Sequence, residues 1–367
     1  MMTVMNRYLM RHFALRLAVV IFAVAAFGLL FDLIDASDDL LKRDTNPALA
    51  MLAYGALRLP SLVREMLPLS ALLAGLFAVA DLLRHREIVV MWGSGLSSGG
   101  LALRMLPLAV LLVGLKFAND ELLVPPTTAV LRDWEVGDFK QARFGADRNY
   151  VWIQSGEDVI RLDADPAQRR ELRNVVVFRR AADGTLVERI DAARGRLVGN
   201  GVELEEVIRR PVGGRQTRRL ERLFLPARID LDAVALMARP AAELAYADLL
   251  RVVEAEGYGM RPVHAHRTWL HYRLAGGLVP AMMLILPFGF LRSFRRVGGI
   301  TPLFVKGLAT GFAFQIFGGF VLALGEGGFV APVPAAWGPP LLLTAVVVGM
   351  LVSAEMPGRR RPLPEAA

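Results

Sequence analysis

The sequence predicts a polytopic α-helical membrane protein with six transmembrane helices and a β-jellyroll or β-sandwich domain inserted between helices 3 and 4. Three observations carry this expectation. Of 367 residues, 54% are hydrophobic, above the roughly 45 to 50% of an ordinary globular chain, and mean hydropathy is +0.42. The apolar residues fall in blocks, several of which reach the roughly 18 to 20 residues that a helix needs to cross a bilayer. One long interruption between the third and fourth blocks carries short, β-branched, partly alternating segments instead.

Taken in order, the apolar runs are Phe13 to Ile34, Met66 to Leu83, Leu101 to Ala118, Leu274 to Leu291, Ile300 to Leu324 and Ala335 to Ser353. The first lacks a small-residue cleavage site and reads as an uncleaved span. Pro280, Pro287, Pro339 and Pro340 are tolerable inside spans because neighbouring helices can satisfy the freed backbone groups. Basic clusters at Arg7 to Arg16, Arg84 and Arg86, Arg292 to Arg296, and Arg359 to Arg361 share one side if there are six spans. The positive-inside rule makes that side the cytoplasm, with both termini in it.

The interruption, residues 119 to 273, then lies outside the cytoplasmic membrane. "NYVWIQ", "DVIRL", "NVVVFRR", "TLVERI", "GRLVGNGVELEEV" and "ERLFLPARIDL" read as strands, parted by turn signals such as Asp183-Gly184 and Gly199-Asn200-Gly201. Before them "VPPTTAVLRDWEVGDFK" reads as a lead-in helix, and after them "PAAELAYADLLRVVEAEG" as an amphipathic connector stopping at Gly257. The expected organisation is helices 1 to 3 in residues 1–118, with a short cytoplasmic helix near 84–97. A linker follows in 119–139, the β domain in 140–235, the connector in 236–270, helices 4 to 6 in 271–354 and a cytoplasmic tail in 355–367.

Several chemistries find no support. There is no cysteine, hence neither disulfide nor thiolate metal site. The formal charge of +8 comes without a zinc spacing, an RNP motif or a sustained basic helix, so no nucleic-acid partner is expected. No GxxxxGK[ST] loop occurs, so any nucleotide energy must come through another chain. His264, His266 and His271 invite a metal reading, but the i, i+2 pair points to different sides of a helix, and an interfacial role beside Trp269 and Tyr272 fits better. Asp32, Asp81, Arg104, Lys116 and Lys306 fall toward the ends of their runs, where they can meet water, which argues against proton or sodium coupling. Gly307 and Gly311 form a GxxxG step, either ordinary packing or a helix interface between subunits.

The stretch "LRHREIVVMWGSGLSS" stands out as too charged to span and too apolar for a plain loop. As a short helix it places Ile88, Met91 and Trp92 near one face with Glu87 in its first turn. Such a helix either lies in the headgroups or inserts into a groove on a partner.

"RYLMRHF", "LPSLVREMLPLSALLAGLFAVADL", "REIVVMWGSGLS", "NDELLVPP" and "LPFGFLRSFRRVGG", in this order around the β insertion, resemble the LptF/LptG permeases of the lipopolysaccharide exporter, the last loop more like the LptG branch. The resemblance covers residues 6 to 353. It implies a non-enzymatic, six-span subunit of an ABC exporter in the bacterial inner membrane, which extracts lipopolysaccharide and passes it through a periplasmic β-jellyroll domain. The implied partners are a dimer of an LptB-like ATPase holding ATP and magnesium, a sister LptF-like permease, a single-span LptC-like protein and an LptA-like periplasmic bridge. The implied ATPase-coupling residues are Arg84, Arg86, Glu87, Ile88, Met91 and Trp92. Lys42, Arg43 and Arg132 are candidates for lipid phosphates, and Leu29, Phe31 and Phe317 for acyl chains. The alternative is a membrane-anchored structural scaffold of an envelope complex, and a secondary transporter is disfavoured by the lack of charges in mid-span.

Overall fold

In a computed structural model, the described residues are 4–43, 46–139, 150–155, 157–163, 171–198, 201–213, 217–226, 236, 239–254, 263–291 and 299–355. The chain divides into two compact units. The clusters at Arg292 to Arg296 and Arg359 to Arg361 lie outside the described residues.

The first unit is helical. Helix α1 (Val4–Arg43) and α2 (Pro47–Arg84) are longer than the apolar runs within them. Asn46 caps α2, its side chain accepting from the Leu49 amide, and Pro47 needs no partner for the amide hydrogen that it lacks. The run expected at 101 to 118 is broken. It consists of α4 (Ser98–Leu103) and α5 (Leu106–Ala118), after a short α3 (Glu87–Gly93). Pro107 supplies the break, because it has no amide to donate to Leu103 and disfavours helix before it.

From α5 the helix does not stop at Ala118. It widens into a π turn (Asn119–Leu123) and continues as α6 (Val124–Trp134). Pro125 and Pro126 remove the amides that the Glu121 and Leu122 carbonyls would receive, and the Val124 amide bonds instead to the Asn119 carbonyl. Thr127 and Thr128 hydroxyls donate to the carbonyls of Leu123 and Val124, at 2.7 and 2.8 Å.

Later in the chain come α7 (Tyr246–Glu254), α8 (Val263–Ala275), α9 (Leu278–Gly289), α10 (Thr301–Glu326) and α11 (Pro332–Glu355). Among the described residues four helices, α1, α2, α10 and α11, are each long and apolar enough to cross a membrane. The pair α8 and α9 passes the same test together, bent by 47° at Gly276-Gly277. The core runs along α2, whose Ala71, Leu72 and Leu76 are fully buried with Phe13 of α1, Leu112 of α5 and Leu284 of α9. The Phe13 and Phe288 rings stack at 5.5 Å.

The second unit contains a six-stranded antiparallel sheet: β1 (Tyr150–Ser155), β2 (Asp158–Asp163), β3 (Glu171–Arg180), β4 (Leu186–Val198), β5 (Gly201–Pro211) and β6 (Arg218–Leu225). The strands pair in chain order. Among the described residues this is a sequential meander, without the strand exchange of the expected jelly roll. Arg209 makes two hydrogen bonds to Glu188, at 2.6 and 2.7 Å, and these hold the Glu188 carboxyl below the usual carboxylate range. Ala241, Leu244, Leu249 and Val252 of the connector bury together, with Trp269 and Leu270 packed on them.

The alternation of buried residues slips at one row across three strands. Leu172, Val175 and Val177 of β3, Ile190 and Ala192 of β4, and Val202, Leu204 and Val207 of β5 share one buried cluster, with Gly195 of β4 against Leu172, Val202 and Leu204, while Val176 of β3 is buried outside that cluster. Each strand skips one residue, and the skips line up at Asn174, Ala193 and Glu206. Asn174 and Glu206 both take left-handed backbone, with φ of 50° and 55°. Glu206 is exposed, so its side chain gains little to offset the roughly 1 kcal/mol that this conformation costs an ordinary residue. Glu206→Gly is therefore expected to slow hydrogen exchange of the β4 and β5 amides in the full chain, and Glu206→Val to speed it. Equal exchange in both variants would refute the assigned strain.

Candidate functional site

The segment from Arg84 to Ser97 is built tightly. Helix α2 ends with the His85 amide on the Asp81 carbonyl, and Arg86 reverses the chain in left-handed backbone at φ 60°. Gly95, at φ 90°, closes α3 and lets the Leu96 amide reach the Met91 carbonyl at 3.1 Å. Ser97 then caps α4, accepting from the Gly100 amide at 2.9 Å.

The apolar face expected to meet a partner faces the chain itself. Ile88 is fully buried in the helical core, and Met91 and Trp92 pack half-buried against it. Their apolar surface mounts α3 on its own unit, with Ile88 as the anchor. The exposed side carries Val89 and Val90, with Arg84, His85 and Arg86 before them. Glu87 is held from α1: the Tyr8 hydroxyl sits astride its carboxylate, 3.0 and 2.8 Å from the two oxygens, and donates its one proton between them.

Charged groups inside the helical unit are paired. Arg16 of α1 donates to Asp81 of α2 at 2.5 Å, with the His12 ring 3.5 Å from the same carboxylate. Arg58 of α2 pairs with Asp32 of α1 and donates to Glu65 at 3.4 Å. Lys116 overturns the expectation of a cation reaching water. It is buried, because the helix runs on past Ala118, and it pairs with Asp120 of the π turn. Buried Arg273 lies 3.8 Å from the same carboxylate and donates to the Asp120 carbonyl at 2.9 Å. The Asn119 side chain donates to the Pro60 carbonyl at 3.0 Å, so one node joins α2, the π turn and the last turn of α8, beside the bend.

The lipid-contact candidates are dispersed. Lys42 is exposed, the Arg43 side chain lies outside the described residues, and Arg132 is half-buried on α6. Leu29 packs over Gly55 of α2, whereas Phe31 and Phe317 are exposed on α1 and α10. Gly307 and Gly311 face Leu76 and Leu72 of α2, which makes their GxxxG face an interface within the chain. His266 is buried, and the Trp269 indole donates to Glu326 at 2.5 Å. Among the described residues no group of three or more metal-ligating side chains occurs. Sequence reasoning missed Tyr8, Arg58, Asp120, Arg273 and Glu355. Only the i, i+4 spacing of Lys116 and Asp120 could have flagged one of these contacts.

A family model described as the lipopolysaccharide export system permease LptF/LptG matches residues 7–353. No curated protein matches the chain.

Proposed function

The chain belongs to the LptF/LptG family of lipopolysaccharide export permeases, and from that premise we propose that it is one of two permeases in an ABC exporter, on the LptG branch. It crosses the inner membrane six times, with α4–α5 and α8–α9 as broken spans. Both termini lie in the cytoplasm and the β domain in the periplasm. An LptB-like ATPase dimer binds ATP and magnesium and docks on the α3 segment. Lipopolysaccharide then leaves the bilayer between this chain and an LptF-like sister, and passes through the β domain toward an LptA-like bridge, with an LptC-like subunit attached.

The observation that carries this reading is the mounting of α3. A short helix keyed into the helical core by Ile88, with Val89, Val90 and three basic side chains outward, is a rigid plug offered to a partner. The exposed aromatic faces of α1 (Phe22, Phe27, Phe31) and α10 (Phe312, Phe317, Phe320) support a lipid path lined by these helices. Reconstitution with the ATPase and the sister permease tests it. Glu87→Arg is expected to weaken ATPase docking at least tenfold, the scale of a charge-assisted contact turned repulsive. Unchanged docking and unchanged ATP-driven release would remove Glu87 from the docking contact, whereas a wild-type assembly that releases no lipid on ATP hydrolysis would favour the scaffold reading instead.

A further inference from the structure

The α3 segment is tied at both ends to helices distant in sequence. At its start the hydroxyl of Tyr8, 79 residues away, shares its one proton between the two Glu87 oxygens. Past its end the Ser97 hydroxyl donates at 2.5 Å to Glu355, in the last turn of α11 and 258 residues away. Gly99 leaves the room for that contact, since a Cβ there would collide with the Glu355 carboxylate.

The Tyr8 tie does not act alone. Tyr8, His12 and Arg16 recur at a spacing of four along α1, so they stand on one face. The Tyr8 and His12 rings lie 5.8 Å apart, and His12 and Arg16 both face Asp81, three residues before the end of α2. Phe13, in the same turns, stacks on Phe288 of α9. A push on Glu87 is thus met by a continuous row of α1 side chains fixed to α2 and α9. The Tyr8 contact is exposed, so it adds little to folding stability. Its worth is geometric.

We propose that Tyr8 and Glu355 are positioning residues that carry the displacement of the α3 segment into α1 and α11. This rests on the reading of α3 as the ATPase-coupling element. In its absence from the cycle, Tyr8 and Glu355 have no transport role to lose.

The test is the whole exporter in proteoliposomes containing lipopolysaccharide, read for ATPase docking, ATP hydrolysis and lipid released per ATP hydrolysed. Tyr8→Phe keeps the ring and removes only the hydroxyl, and Glu355→Ala removes the second tie. Each is expected to leave docking and hydrolysis within about twofold and to lower lipid per ATP about fivefold, the scale of one ordinary, solvent-exposed hydrogen bond lost. A merely structural role would lower hydrolysis and release together and leave their ratio alone, and that result overturns the inference. So does a wild-type ratio in both variants while Glu87→Arg abolishes docking, in which case the coupling reading stands. If Glu87→Arg also changes nothing, the coupling reading itself has failed.

Discussion

Asp120→Ala is expected to cost the folded protein about 3 kcal/mol or more, the largest loss from a single side chain in the helical unit. Asp120 and Lys116 are both nearly inaccessible, and so is Arg273 at 1% side-chain exposure. Two cations share one carboxylate there. Truncating the carboxylate withdraws the counter-charge from both at once, and the desolvation already imposed on them remains. Thermal unfolding of the purified protein in detergent should show a lowered midpoint. Asp120→Asn, which keeps hydrogen-bonding capacity without charge, should fall between the two. Lys116→Met combined with Asp120→Leu should be tolerated better than Asp120→Ala alone, because it removes a cation with its partner. A midpoint for Asp120→Ala equal to wild type would mean that the three charges are not buried together.

This node also shows where sequence reading ran out. The apolar runs, their order and the β insertion are legible, because burial in lipid demands long apolar stretches and strands demand alternation. What run-counting misses is a helix that continues after its apolar stretch ends. Lys116 looks like the edge of a span only if the helix stops at Ala118, and the π turn that carries it into α6 places the lysine inside the unit. Arg58 was missed for the same reason: α2 begins at Pro47, well before the apolar run at Met66. In the sheet, the three-residue gaps Leu172 to Val175, Ala192 to Gly195 and Leu204 to Val207 are visible in the sequence, but their alignment across strands needs the register.

The α3 segment divides the same way. Its existence, its position between two apolar runs and the presence of Glu87 are legible from local composition. Which face it presents is not, since Ile88 and Val90 are equally apolar and differ only in what surrounds them: Ile88 is fully buried and Val90 is 72% exposed. The ties from Tyr8 and Glu355 depend on helices separated from the segment by most of the chain. No window of sequence contains both partners.

The second large effect is expected at Gly75. A Cβ built there would stand 2.7 Å from the Leu284 carbonyl oxygen and 3.1 Å from the Pro287 ring of α9, so even alanine forces α2 away from the backbone of its neighbour. Overpacking of this kind costs about 1 to 3 kcal/mol, and the obstacle here is main chain, which cannot rotate aside. Gly307 offers the control. A Cβ there meets Leu76 Cδ2 at 2.6 Å, the far end of a side chain with other rotamers available. Gly114 of α5 is a second control, with nothing within 4 Å. Alanine at Gly114 should be neutral or should gain up to about 1 kcal/mol in helix propensity. The expected order of unfolding midpoints in detergent is Gly114→Ala highest, Gly307→Ala next and Gly75→Ala lowest. A Gly75→Ala protein as stable as Gly307→Ala would show that α2 and α9 do not touch backbone to backbone. In that case α2 would lose its place as the axis on which the helical unit is packed.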